Sequence, residues 1–97
     1  MTLAFALTRR GWARQALREI DAAMRDLTGV ARFRAQAQRG AILHQLGRFD
    51  EALDTYRAAL RGLRRARETL WMQRVLTNRG SLHGQRQQLA EAEADHK

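Results

Sequence analysis

His44, His83 and His96 are the only imidazoles in the chain, and His44 and His83 fall near equivalent sites of two similar segments. A two-histidine metal site would need further donors in register. Neither histidine has a carboxylate four residues on, where a helix would carry it to the same face, and no third ligand lies at a matching position. Ser81 and the threonines have no recognisable base partner for nucleophilic chemistry, and no glycine-rich phosphate loop occurs. The expectation is a chain without catalytic residues, bound metal or cofactor.

The arginines have more to offer. Arg57, Arg61, Arg64 and Arg65 are spaced i, i+4, i+7 and i+8, which puts them on one side of a helix, with Arg67 beside them. Arg10, Arg14 and Arg18 form a second row at spacing four. Such rows are either an electrostatic footprint for nucleic acid or an acidic partner, or the solvated outer face of a helix. The net charge of +8 and isoelectric point of about 11.6 permit both. Seventeen of the 18 basic residues are arginine, Lys97 being the other, a skew that a GC-rich genome would give any surface. No aromatic residue interleaves with the rows to stack on bases, and Asp50, Asp54, Glu19 and Asp21 stand ready to offset them, so the solvated face is the favoured reading.

The elements that must carry these residues follow from length and pattern. A chain of 97 residues forms one small domain. It has no cysteine, hence no disulfide and no thiolate site, which fits a reducing compartment. The segment 1–10, "MTLAFALTRR", is too short to span a bilayer, and its arginines follow the apolar run rather than precede it as in a secretory signal. A cytoplasmic protein without a membrane partner is expected. With no proline, abundant Ala and Leu and few β-branched runs, the chain should be all-helical.

Two internal matches organise it. Residues 11–24, "GWARQALREIDAAM", align with 47–60, "GRFDEALDTYRAAL", at an offset of 36. Each copy carries one apolar helical stripe: Ala13, Ala16, Leu17, Ile20, Ala23, Met24 and Leu27, then Phe49, Ala52, Leu53, Tyr56, Ala59, Leu60 and Leu63. Within the segments 31–47 and 70–86, residues 31–46 align with 71–86 at an offset of 40, with Arg39-Gly40 on Arg79-Gly80. The step from 36 to 40 is about one helical turn, placed at 61–68, where no glycine follows Leu63 as Gly29 follows Leu27. Two helices per unit, repeated, indicate a solenoid.

The pattern resembles the tetratricopeptide repeat. In that family helix A carries glycine at position 8, the turn glycine at 15, and helix B small residues at 20 and 27 with an aromatic at 24; Gly40, Gly47, Ala52, Tyr56 and Ala59 occupy those places. Small residues let two helices approach closely while the aromatic fills the remaining gap. The sequence departs from the family at position 4 (Gln36 and Leu76 for tryptophan), at position 7 (Arg39 and Arg79 for leucine) and at 32, where proline is absent. The arginines at position 7 are expected to pack their stems and hold their guanidinium groups in solvent. The resemblance implies an all-α, right-handed helical-hairpin solenoid: a partial repeat over 1–29, a complete repeat over 30–69 (33–72 counted from position 1) and a partial repeat over 70–97. Met1 then falls inside a helix A and Lys97 inside a helix B, so the chain reads as an excerpt whose ends leave apolar residues uncovered, at Leu3, Phe5 and Leu7 and at Leu82 and Leu89, and favour self-association. The phrases at 76–83 and 89–95 are also similar to arrays that precede caspase-like CHAT domains in actinobacterial proteins.

The family's ligand groove, carried over residue by residue, implies Arg34, Ala37, Gln38, Ala41, His44 and Gln45, then Arg74, Thr77, Asn78, Ser81, Gly84 and Gln85. Of these, Arg34, Gln38, Gln45, Arg74, Asn78 and Ser81 are the candidate contacts for a peptide carboxylate or acidic side chain. The lysine and asparagine pattern of the family's chaperone-tail clamp is largely missing, so a chaperone C-terminus is not the expected ligand. Trp71 is expected in the core at the start of a helix A, while Trp12, after a turn glycine, could be buried or exposed. The implied function is a protein-interaction scaffold; the alternatives are a regulatory segment of a larger CHAT-type protease or signalling protein, and a basic nucleic-acid-binding helical module that uses Arg57, Arg61, Arg64 and Arg65.

Overall fold

The computed structural model describes the backbone of residues 2–95 and the side chains of residues 11–94. Leu3, Phe5, Leu7, Arg10, His96 and Lys97, singled out above, therefore have side chains outside the described residues. Four helices follow one another among the described residues: α1 Thr2–Met24, α2 Gly29–Gln45, α3 Phe49–Arg65 and α4 Thr69–Asp95. The all-α helical-hairpin architecture is as expected. Helix α2 is central, packing against α1, α3 and α4, and α3 in turn packs against α4.

The expected stripe of α3 is its buried face. Ala52, Tyr56, Ala59 and Leu63 are fully buried and join Leu43, Val75 and Leu82 in a single core, against which Phe33, Phe49 and Trp71 pack in part. Glycines set the closeness of the α2–α3 crossing. A Cβ on Gly40 would stand 2.5 Å from the Tyr56 ring, and one on Gly62 would run into the Phe33 ring. Two aromatics of the central hairpin thus lie on the glycines of the opposing helix. The fit has a cost: the Tyr56 hydroxyl is buried without a hydrogen-bond partner. Burial pushes its pKa up to about 12, and nearby Asn78 offsets this only in part without closing a hydrogen bond of proper geometry.

The two inner turns close in the same way. After α2, the N–H of Gly47 donates to His44 O and the N–H of Arg48 to Leu43 O, with Gly47 at φ 77°. After α3, the N–H of Arg67 donates to Arg64 O and the N–H of Glu68 to Leu63 O, with Arg67 at φ 58°. Both are Schellman closures, the second built on an arginine in the left-handed region where glycine is usual. Relative to α1, which ends at Met24, α3 runs about one turn further past the equivalent Leu60, to Arg65. The extra turn lies inside 61–68. At the end of α1 the guanidinium of Arg32 donates to Met24 O, satisfying a terminal carbonyl.

The outer helices depart from expectation. Helix α1 passes through Gly11 without a turn, and α4 passes through Gln87 to Asp95. Neither terminal segment is a separate second helix. A ten-residue helix is marginal by itself, so continuing an existing helix avoids a new nucleus. At 87 the turn position holds glutamine, which resists the left-handed conformation that Gly47 adopts. Leu82, expected to be uncovered, is fully buried against α3, whereas Leu89 is 52% exposed. No helix among the described residues is long and apolar enough to cross a membrane.

Candidate functional site

Helices α2 and α4 carry the residues expected to meet a partner, and they lie side by side. His44 Nε2 and Gln85 Oε1 are 2.9 Å apart and tie the two helices together. Nearer their N-terminal ends, Arg34 of α2 is salt-bridged to Glu68 at 2.6 Å, just ahead of α4. Trp71 joins the same cluster, with the guanidinium of Arg34 at 5.8 Å from its ring centroid and that of Arg74 at 5.1 Å. Expected in the core, Trp71 instead rests one part of its surface on the core and offers the rest to two cations. The reason is spacing: Arg34 lies on the neighbouring helix and Arg74 one turn along α4. Pairing on separate elements is invisible in the sequence.

Four of the six candidate contacts divide between two concavities. Arg74 and Asn78 line an open hollow of about 430 Å³ with Leu70, Gln73 and Thr77; Arg34 lies outside this lining and shares with Arg74 only the Trp71 ring. Gln38 and Gln45 line a different groove of about 510 Å³, formed with α1 by Trp12, Ala16, Ile20, Ala23, Ala41 and Ile42. Ser81 is exposed on α4 and lines neither. The contribution of α1 was not among the expected site residues. The signal for it was Trp12, a large aromatic after a glycine, which is 60% exposed at the groove.

The arginine row of α3 lies elsewhere. Arg57, Arg61, Arg64 and Arg65 are all exposed. Of the carboxylates expected to offset them, only Asp54 does so, at 3.7 Å from Arg57. Asp50 pairs instead with Arg86 of α4 at 3.0 Å, and Asp21 of α1 with Arg39 of α2 at 2.6 Å. Arg39 also donates to Thr55 Oγ1 of α3, so this arginine at position 7 clasps three helices rather than holding its head free in solvent. Arg48 and Glu51 form a bidentate pair at the start of α3, which raises the arginine and lowers the carboxylate from their ordinary pKa values. No group of three or more His, Cys, Asp or Glu side chains suited to a metal occurs among the described residues.

The hairpin geometry, with a glycine of α2 under an aromatic of α3 and a glycine turn between them, is that of one recurrent unit. Residues 33–61 match the tetratricopeptide repeat family model. The match runs from Phe33 of α2 to Arg61 of α3, across the Gly40–Tyr56 contact and the Gly47 turn. Comparison with curated proteins gives no match, and neither does comparison with solved structures. The tetratricopeptide match supports a protein-interaction module in general terms.

Proposed function

We propose that the chain is a protein-interaction scaffold that binds an acidic or carboxylate-ended segment of a partner across α2 and α4. The observation that carries this reading is Trp71 between Arg34 and Arg74. An aromatic plane with two guanidinium groups offers apolar contact and charge-assisted donors together. Arg34 already holds Glu68, a carboxylate bound in the manner expected of a ligand, while Arg74 has no ion-pair partner among the described residues. Asn78 adds a donor at the same hollow. A place within a CHAT-type regulatory array would use this same face, with neighbouring repeats extending it.

Titration with a short glutamate-rich peptide ending in a free carboxylate tests the proposal. Replacing Arg34 and Arg74 together with glutamine is expected to weaken binding about tenfold, equivalent to ~1.4 kcal/mol. Replacing Arg61, Arg64 and Arg65 with glutamine is expected to change it less than about twofold, because exposed charges act weakly through screened solvent. The reverse ranking, together with DNA binding that falls steeply with salt, would move the function to the outer face of α3 and to nucleic acid.

A further inference from the structure

The two guanidinium groups that meet at Trp71 are not equivalent. Arg74 has no ion-pair partner among the described residues, whereas Arg34 Nη2 stands 2.6 Å from Glu68 Oε1. Glu68 is the least exposed of the five ion-paired carboxylates among the described residues, with its side chain 22% exposed against 46% for Arg34. The arginine is open to an incoming group, and the acid that holds it is the more sheltered partner.

The fold fixes where that acid stands. Glu68 follows Arg67, whose φ of 58° closes α3, and precedes Thr69, the first residue of α4. Its N–H donates to Leu63 O at 2.9 Å and its carbonyl accepts the N–H of Met72 at 3.0 Å, so its backbone is tied on both sides. The carboxylate makes no hydrogen bond to the first turn of α4; among the described residues its one side-chain partner is Arg34. A group anchored in this way loses little freedom when it meets the arginine, and so competes at a high local concentration.

We propose that Glu68 is a built-in competitor for Arg34, which holds the guanidinium against outside carboxylates and sets the threshold a partner must pass to engage both arginines. This rests on the reading of the α2–α4 face as a carboxylate site. An incoming carboxylate takes Arg34 either by displacing Glu68 from Nη2 or by using the remaining N–H groups beside it, against the repulsion of two like charges. Arg74 has no such resident and accepts the first acidic group of a partner. Arg34 answers only a segment that supplies a second one, so the partner it selects carries two or more carboxylates.

Glu68→Gln keeps the size of the side chain and removes its charge. The glutamate-rich, carboxylate-ended peptide is expected to bind this variant about two- to fivefold more tightly than the unaltered chain, the range set by one partly exposed ion pair. With Arg34→Gln already present, most of that gain is expected to disappear, because the contact that Glu68→Gln relieves is gone. Weaker binding by Glu68→Gln would overturn the proposal and make the acid a positioning residue for Arg34, while leaving the carboxylate face standing. Binding by neither chain would instead remove the carboxylate face, and quenching of the Trp71 fluorescence then decides on Glu68 without a peptide. In chains carrying Trp12→Phe only one indole remains. Iodide is expected to quench it about twofold more strongly after Glu68→Gln, since the released guanidinium gathers anions, while neutral acrylamide quenches as before. An iodide effect that does not rise, or that rises equally with Arg34→Gln present, would overturn the proposal.

Discussion

Gly40 and Gly80 hold equivalent places in the two matched segments and differ in everything around them. Gly40 lies under the Tyr56 ring, while a Cβ on Gly80 would meet nothing within 4 Å. Alanine gains about 1 kcal/mol over glycine inside a helix, and overpacking a closed core site costs roughly 1–3 kcal/mol. Gly40→Ala is therefore expected to lower stability, by about 1 kcal/mol net, and Gly80→Ala to raise it by up to about 1 kcal/mol. Denaturant titrations of both variants measure the contrast, and equal gains would mean that the Tyr56 ring does not lie on Gly40. The small-and-large code of Gly40, Ala52 and Tyr56 was legible in the sequence because each residue answers a neighbour in the same hairpin. The openness of Gly80 was not, because it depends on whether another helix covers α4.

Among the elements, the end of α3 separates what periodicity reveals from what only backbone geometry does. The missing glycine after Leu63 announced a longer helix, and α3 runs on to Arg65. What stops it is Arg67 at φ 58°, a conformation nothing in "RRARE" advertises. A left-handed non-glycine residue costs about 1–2 kcal/mol, and glycine gives back roughly 0.5–1 kcal/mol through the greater freedom of the unfolded chain. Arg67→Gly is expected to stabilise by about 0.5–1 kcal/mol in thermal melts, while Gly47→Ala destabilises by a similar amount. A fall in melting temperature for Arg67→Gly would show that the arginine does something at the turn beyond closing it. Repeat alignment likewise located the helices of 11–24, 31–47, 47–60 and 70–86, but it drew turns at both outer ends. The outer helices run straight because a local glycine, or its absence, competes there with the cost of starting a short helix.

As a whole the molecule is elongated, 46 × 27 × 19 Å, and its charge is divided between two faces. The exposed arginines of α3 form the outer one, where Asp54 alone of the nearby carboxylates answers them. The other gathers Arg34, Trp71 and Arg74 between α2 and α4. Family register named Arg34, Arg74 and Asn78 for that face, yet it could not show that Trp71 would join them, nor that Gln38 and Gln45 would turn toward α1. Those outcomes depend on how adjacent helices are rotated, which one helix's sequence does not encode. Chemical-shift mapping of the full chain with the glutamate-rich, carboxylate-ended peptide tests the interaction face most directly. The largest perturbations are expected at the Trp71 indole and at the backbone amides of Arg34, Arg74 and Asn78. Perturbations centred on Arg61, Arg64 and Arg65, with the Trp71 indole unmoved, would contradict it.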